Sequence, residues 1–160
     1  MFKRTLTLAV IMALGTVGFA QSGTQTAATQ TPPAKPEPAK SKTLAAVQGT
    51  WVFTSVNGQD AAGQPEIVIT ITDDKYVQTI DGNTVEKGTL KFDDTKKPLH
   101  MDLVIIEGQD AGKTQLGVLE LTSATAVRAK LNTAGETTRP TDFAPAPGEG
   151  YFVFTAVKKK

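Results

Sequence analysis

Apolar and polar residues alternate with a period of two along the chain from Trp51 onward, in short runs separated by turn residues. Successive side chains of a β-strand point to opposite faces, so this alternation predicts strands that each carry an apolar face. No segment after residue 50 has the apolar spacing of a helix. The pattern therefore predicts an all-β fold with eight strands, near residues 50–57, 66–72, 75–81, 84–92, 99–107, 114–121, 124–131 and 150–158.

The segments between most of these strands are short and rich in turn-forming residues. Asp81-Gly82, which lies between Ile80 and Val85, is typical of a two-residue hairpin turn. Eight short strands joined in sequence by tight turns predict an up-and-down barrel, in which closure leaves no exposed sheet edge. A Greek-key sandwich is the alternative, because the same strand spacing serves both architectures.

The alternation also predicts which side chains face the inside of the barrel. An eight-stranded barrel has an interior just large enough to be filled by side chains or to hold one small ligand. The inward apolar residues are therefore either a filled core or the wall of a ligand cavity. Both faces of the last strand are apolar, so we expect it to be covered on both sides, with the lead-in segment 44–47 as the candidate cover. The candidate ligand-binding residues on the inner face are Ile69, Met101, Leu103 and Phe154.

Trp51 is the only tryptophan of the chain and opens the first strand, two residues after Gly49. Its large ring needs burial and its indole N–H needs a partner, while a glycine allows the chain to bend tightly beneath the ring. Gly-x-Trp at the head of a run of short strands is similar to the start of lipocalin-like barrels, in which the tryptophan plugs the closed end. The alternative is an ordinary core tryptophan of a β-sandwich.

The first 42 residues differ from the rest. Residues 1–20 have a charged start (Lys3, Arg4), an apolar run and small residues at Gly18 and Ala20, which together predict a signal peptide cleaved after Ala20. The apolar run is shorter than the ~20 residues of a spanning helix, although a retained membrane anchor is the alternative. Residues 21–42 are rich in Pro, Thr and Ala without large apolar residues, so we expect a disordered linker. The folded domain is then 43–160, exported to the periplasm or the exterior.

Charge and composition exclude several classes of protein. Residues 43–160 contain 12 basic and 15 acidic side chains, and this mildly acidic domain argues against nucleic acid as a partner. The chain has no cysteine, which excludes disulfides, thiolate metal sites and a lipid-anchored cysteine, so we expect no stable membrane anchor. It also has no phosphate loop, nucleotide fingerprint or protease motif, and we expect a monomer without a cofactor.

Four short motifs, in this order and spacing, resemble an uncharacterised bacterial domain family that occurs in many copies in planctomycetes and is described as lipocalin-like. The resemblance covers most of residues 47–158. It implies an eight-stranded lipocalin-like barrel and no established activity. One departure is visible, because many members have a cysteine on the strand before the Arg-Pro loop and residues 127–131 have none. The motifs are Gln48-Gly49-Thr50-Trp51, Lys87-Gly88-Thr89-Leu90, Lys97-Pro98-Leu99-His100-Met101-Asp102-Leu103 and Arg139-Pro140-Thr141-Asp142-Phe143.

His100 and Asp102 are the candidates for chemistry, since they lie two residues apart on one face of a strand. Such a pair can form a hydrogen-bonded base or half a metal site, but a metal needs three or four ligands and His100 is the only histidine. We therefore expect no metal site and an outward, polar His100. The resemblance places Asp102 within a family motif, where it accepts hydrogen bonds from a turn or pairs with Arg139.

Arg139 lies in the long segment before the last strand, where the guanidinium offers a planar fork for a carboxylate or for an aromatic face. The first and last strands of a closed barrel are neighbours, which would allow Arg139 to pack across Trp51 as part of a structural plug. The alternative role is anion binding at the mouth of the barrel.

Three functional hypotheses follow from these observations. The first is an exported, non-catalytic barrel that binds a small apolar or amphipathic molecule or an unknown protein partner. The second is a protein-interaction or inhibitor module with a filled barrel. The third is an enzyme that uses His100 and Asp102, or scattered carboxylates, inside the barrel. The use of His100 and Asp102 requires both side chains to face the interior beside another titratable group. An open apolar cavity would favour the first hypothesis over the second.

Overall fold

A computed structural model describes residues 41–145 and 150–160. The predicted signal peptide (1–20) and residues 21–40 of the predicted linker lie outside the described residues. Of the two described residues that composition groups with the linker, Lys42 begins a short helix α1 (Lys42–Ala46) and Ser41 is its N-cap. The Ser41 side chain accepts a hydrogen bond from the Leu44 backbone N–H and caps this helix. No helix among the described residues has the length and the apolar character needed to cross a membrane.

Eight of the nine strands form a closed antiparallel barrel, which confirms the predicted fold class. Each strand pairs with the next along the chain, and the first also pairs with the last, so the sandwich alternative is wrong. The exception to this order is the two-residue β2, which pairs only with β1 at the edge of the barrel. The strands are β1 (Gly49–Val56), β2 (Gln59–Asp60), β3 (Ile67–Thr72), β4 (Lys75–Ile80), β5 (Asn83–Asp93), β6 (Leu99–Glu107), β7 (Thr114–Ser123), β8 (Ala126–Leu131) and β9 (Phe152–Lys158).

Two hairpin turns have the backbone conformation that their sequences predict. Asp81 and Gly82 both adopt positive φ angles (49° and 78°), as a type I′ turn requires, and join β4 to β5. Asn57 and Gly58 do the same (49° and 79°) but lead into β2 rather than into the next barrel strand. The alternation did not predict β2, because two exposed residues carry no periodic signal.

The end of the barrel next to α1, here called the closed end, is built around Trp51. The indole is 1% exposed and donates a hydrogen bond of 2.7 Å to the backbone carbonyl of Val47. Gly49 has a φ of 103°, and a β-carbon there would approach the Lys158 side chain to 3.2 Å. The predicted tight bend beneath the tryptophan is therefore present, and Val47 is buried beside the ring.

The long connection between β8 and β9 contributes a strap, defined here as residues 132–145, that lies along the outside of β6, β7 and β8. Its backbone begins against β7, where the amides of Asn132 and Gly135 donate to the carbonyls of Leu116 and Thr114. Further along, Asp142 accepts a hydrogen bond of 2.9 Å from Lys130 on β8. The strap therefore covers one side of the barrel from the outside.

The strap also explains why outward residues are buried in this part of the wall. Val118 and Lys130 are cross-strand partners on the outer face, with 0% and 6% exposure, and Lys130 pairs in turn with Val153 of β9. The guanidinium of Arg128 lies 4.4 Å from the centre of the Phe143 ring. The expectation that residues 44–47 cover β9 is wrong, because α1 contacts β5 and not β9.

Arg139 of the strap binds the outer face of β6 and β7 and does not pack on Trp51. Its Nη2 donates to Asp102 (2.5 Å), and its Nη1 donates to the carbonyls of Met101 (3.0 Å) and Gly117 (2.6 Å). The cation over the indole is Lys158, at 5.6 Å from the ring centre. The predicted plug pair is therefore wrong in its second member, whereas the predicted pairing of Asp102 with Arg139 is confirmed.

Candidate functional site

The barrel encloses a cavity of about 370 Å³, so side chains do not fill its interior. Its wall is mainly apolar and is built from the inward positions of the barrel strands, as the alternation predicts. All four candidate ligand-binding residues, Ile69, Met101, Leu103 and Phe154, line it. The remaining apolar lining includes Val47, Trp51, Phe53, Ile71, Leu90, Phe92, Leu119, Val127, Leu131, Phe152 and Ala156.

Three phenylalanines on β1 and β9 form an aromatic wall on one side of the cavity. The rings of Phe53 and Phe154 are stacked, with centres 4.2 Å apart and an angle of 5° between their planes. Phe152 lies tilted against both rings, at 6.2 and 5.7 Å. These strands are neighbours because β1 closes the barrel against β9. The result is a packed apolar surface that faces the interior.

Polar side chains form a second group on β4, β5, β7 and the β6–β7 loop. Gln78 and Glu86 are cross-strand partners on β4 and β5 whose side chains line the cavity. Gln115 of β7 and Asp110 of the loop line it as well. In the order of strands around the barrel, β4 and β5 lie across from β9 and β8. The cavity therefore has an aromatic wall on β1 and β9 and a polar wall formed by Gln78, Glu86, Asp110 and Gln115, of which Glu86 lies on β5, the strand across from β9.

Tyr76 links the polar wall to the strand framework. Its ring is 1% exposed and packs over Gly88 of β5, where a β-carbon would come within 2.8 Å of the ring and 2.2 Å of the Val104 carbonyl. Its hydroxyl donates a hydrogen bond of 2.8 Å to Oε1 of Glu86. This packing gives a physical reason for glycine in the Lys87-Gly88-Thr89-Leu90 motif, because any side chain at residue 88 would displace the tyrosine.

The environment changes the acidity of both partners in this hydrogen bond. Burial raises the pKa of the Tyr76 hydroxyl, and the hydrogen bond to Glu86 raises it further. Burial also raises the pKa of the Glu86 carboxyl, and the negative charge of Asp110 adds to that shift, while the bond from Tyr76 opposes it. Glu86 therefore carries its charge at a cost in free energy, as binding-site carboxylates often do.

The end of the cavity away from α1, here called the open end, reaches solvent. Its rim consists of residues from the β8–β9 connection that line the cavity and are partly or fully exposed: Thr133, Ala134, Gly150 and Tyr151. At the opposite end Trp51 and Val47 are buried. The described residues therefore allow a small molecule to enter at the open end, beside the β8–β9 connection.

His100 and Asp102 face away from the cavity, on the outer surface of β6. The inward residues of that strand are Met101, Leu103 and Ile105, which are buried, whereas His100 and Asp102 are half-buried. The hypothesis of an enzyme site that uses these two residues inside the barrel is therefore wrong. No group of three or more His, Cys, Asp or Glu side chains able to hold a metal is found in residues 41–145 and 150–160.

The polar wall was missed by sequence reasoning, although a signal for it exists. Leu90 and Phe92 share one face of β5, and stepping back by two along the same strand reaches Gly88 and Glu86. A carboxylate in register with an apolar face is the exception that indicates a site. The deciding contact, with Tyr76 on the neighbouring strand, required the strand register.

Comparisons of the chain with protein-family models, with curated proteins and with solved structures find no significant match. The resemblance to the planctomycete-type lipocalin-like domains therefore stays a prediction. Two of the four motifs that carry this resemblance are in contact, because Asp102 of the third motif pairs with Arg139 of the fourth.

Proposed function

We propose that this protein is an exported, non-catalytic barrel that binds one small apolar or amphipathic molecule in its interior. The observation that carries the proposal is the cavity of about 370 Å³ with an apolar wall and a polar group near its open end. Ligand pockets in proteins span roughly 300–1,000 Å³ and are mostly apolar with a few placed polar groups. The cavity fits the lower part of that range.

The energetics of the wall favour an apolar ligand body. Transfer of apolar surface out of water contributes roughly 25 cal/mol for each Å² buried. The stacked Phe53 and Phe154 rings and the side chains of Met101 and Leu103 offer such surface without rearrangement of the barrel. A preformed cavity also reduces the ordering cost that a ligand must offset.

A filled barrel whose loops recognise a protein partner is the competing function. The interior counts against it, because the inward positions leave a cavity rather than a packed core. The two residues named in the enzyme hypothesis, His100 and Asp102, lie on the outer face of β6 and not in the cavity. Ligand binding is therefore the function that the described residues support best.

Trp51 provides a direct test of binding, because it is the only tryptophan and it lines the cavity. We expect decanol with a brominated chain to quench the Trp51 emission in a saturable manner, and unlabelled decanol to restore it. Native mass spectrometry of the exported protein should show a co-purified small molecule. If brominated decanol caused no saturable quenching at any concentration up to its solubility limit, the proposal would be contradicted.

A matched pair of variants locates the binding. Ala156 lines the cavity and is buried, whereas Ala126 lies on β8 with its side chain on the outer face. Ala156→Leu should reduce decanol affinity because the added carbons occupy ligand volume. Ala126→Leu adds the same carbons outside and should leave the affinity unchanged. Equal effects of both variants would place the binding outside the barrel.

The export part of the proposal has its own test. It rests on the charged start, the apolar run and the small residues at Gly18 and Ala20. Expression of the full chain in a bacterial host should yield a mature protein that begins at Gln21 and is recovered outside the cytoplasm. An uncleaved, membrane-bound product would instead support the anchor alternative.

A further inference from the structure

The charged side chains of the cavity lining are all acidic. Among the described residues that line the cavity, the carboxylates are Glu86 and Asp110, and none of the lining residues is lysine, arginine or histidine. Asp110 forms an ion pair of 2.7 Å with Lys113, whose side chain is about half exposed at the open end. Glu86 is therefore the residue that sets the charge of the polar wall.

Glu86 differs from the paired carboxylates of the barrel surface. On the surface, Glu107 pairs with Lys87, Glu120 with Arg128, and Asp102 with Arg139. Within the part of the chain that the structure describes, the Glu86 carboxylate has one hydrogen-bond partner, the Tyr76 hydroxyl, on Oε1. No side-chain oxygen without a partner is sealed away from solvent in these residues, so Oε2 is accessible.

Glu86 is also held in a fixed position. It lies on β5 within a paired register, opposite Gln78 on β4, and the buried Tyr76 ring orients its carboxylate. A carboxylate fixed in this way and partly removed from water gains more from a cationic partner than an exposed one does. Across the cavity, the stacked phenylalanines offer apolar surface for a hydrocarbon chain.

We propose that the cavity selects a single-chain amphiphile whose polar end is a primary ammonium group, bound to Glu86 with its hydrocarbon chain along the aromatic wall. This inference rests on the proposed function, since it names the class of ligand for the same cavity. The ammonium offers three hydrogen-bond donors, which Glu86 and its cross-strand partner Gln78 can accept. An amphiphile with a carboxylate end would meet like charges at Glu86 and Asp110.

The test compares three probes with the same chain and different polar ends: decylamine, decanol and decanoate. Each is titrated against the purified protein at neutral pH, with competition for a brominated decanol that quenches Trp51. Decylamine should bind about tenfold or more tightly than decanol, and decanoate should bind weakest. The order should weaken as salt is raised, because part of it is electrostatic.

Glu86→Gln keeps a hydrogen-bond acceptor for Tyr76 and removes the charge. It should lower decylamine affinity about tenfold or more relative to decanol affinity, so that the preference for the ammonium end is lost. Glu120→Gln makes the same change of charge on the outer face, where Glu120 pairs with Arg128, and should leave both affinities unchanged. Asp110→Asn is a second lining variant, with a smaller loss expected because Asp110 is paired with Lys113.

The outcomes separate this inference from the proposed function. If no probe quenches Trp51 emission or competes, the proposed function fails. If decanol binds as well as decylamine, or if Glu86→Gln weakens both equally, ligand binding stands and the ammonium specificity is overturned. Should Glu86→Gln fail to fold, Asp110→Asn and the order of the three probes still decide. Tighter binding of decanoate would overturn the inference outright.

Discussion

Carboxylates on the inner and outer faces of the barrel wall differ in the charge of their hydrogen-bond partners. On the outer face, Asp102 pairs with Arg139, which also donates to two backbone carbonyls. On the inner face, the hydrogen bond to Glu86 comes from the neutral Tyr76 hydroxyl. A charge that only supports the fold is neutralised where it lies. A charge left facing a cavity without a cation is free to interact with a ligand.

The same contrast applies to the apolar surface. Outward Val118 is fully buried because the strap covers it, so apolar surface on that side of the wall is used within the fold. Inward Phe53 and Phe154 stack on each other and still border empty volume. The chain therefore uses its longest loop to cover the outside of the barrel and leaves the inside accessible.

The largest expected effect belongs to the inner face at the closed end. Trp51→Ala removes a buried ring and its hydrogen bond to Val47, and should lower the free energy of unfolding by about 3–5 kcal/mol. Trp51→Phe keeps an aromatic ring and should cost clearly less. Chemical denaturation measures both. If Trp51→Ala cost under about 1 kcal/mol, the closed end would not depend on the tryptophan.

The second effect belongs to the outer face, where Arg139→Ala frees Asp102 and two carbonyls. It should lower the free energy of unfolding by about 1–3 kcal/mol, because partly buried acceptors lose their donors. A double-mutant cycle with Asp102→Ala should show coupling. Arg139→Lys is the control that keeps the charge and loses the planar fork.

A second cycle contrasts the two faces directly. Trp51→Ala and Arg139→Ala should be additive within about 0.5 kcal/mol, because the two residues share no partner in the described structure. Coupling beyond that value between these two residues would indicate that the wall transmits strain from one face to the other.

The alternation predicted which residues share a face but not the partners of the long segment before β9. Period two places Met101 inside and Asp102 outside from adjacent positions alone, and it correctly groups Ile69, Leu103 and Phe154. That grouping is local information, fixed by the pleat of the strand. The path of residues 132–145 is not local, so the pattern could not show whether Arg139 reaches Trp51 or Asp102.

Helix α1 and the cavity could not be predicted from the alternation of apolar and polar residues. Helix α1 is a single turn and is stabilised by its Ser41 cap and by the bond from the Lys42 amide to Asp94. The cavity volume depends on how inward side chains meet across the barrel. The alternation therefore left both a filled core and a ligand cavity open, and only the three-dimensional packing separated them.

The next prediction concerns pH and the inner face. Burial raises the folded-state pKa of Glu86 above its ordinary value of 4.5, so Glu86 favours folding at low pH and this contribution is lost as pH rises through the folded-state pKa. Glu86→Gln does not titrate in this range. The free energy of unfolding of the variant minus that of the natural protein should therefore be larger at pH 7 than at pH 4, so the variant gains relative stability as pH rises.

Denaturant titrations at the two pH values measure this difference. Asp110→Asn removes a charge that contributes to the shift and should make the pH dependence attributable to Glu86 smaller. If Glu86→Gln were instead more stable relative to the natural protein at pH 4 than at pH 7, the folded state would stabilise the Glu86 charge. The contrast with the outer carboxylates would then disappear.

The smallest effect is expected for His100, on the outer face. Its side chain is half-buried and lies between its cross-strand partners Asp93 of β5 and Val118 of β7. No hydrogen bond of its imidazole is found among the described residues, and a metal site would need more ligands than this surface provides. His100→Ala should therefore change the free energy of unfolding by no more than about 1 kcal/mol and leave decanol binding unchanged.

Asp102→Asn, two residues away on the same face, is the matched comparison for His100→Ala. It removes the ion pair with Arg139 but keeps a hydrogen-bond acceptor, and it should cost more than His100→Ala while the strap and the barrel stay folded. Denaturation of the two variants, together with Trp51 quenching by brominated decanol, measures stability and binding in one preparation. A loss of binding in His100→Ala at full stability would mean that the outer face communicates with the cavity, and the division of the wall into a structural outside and a functional inside would no longer hold.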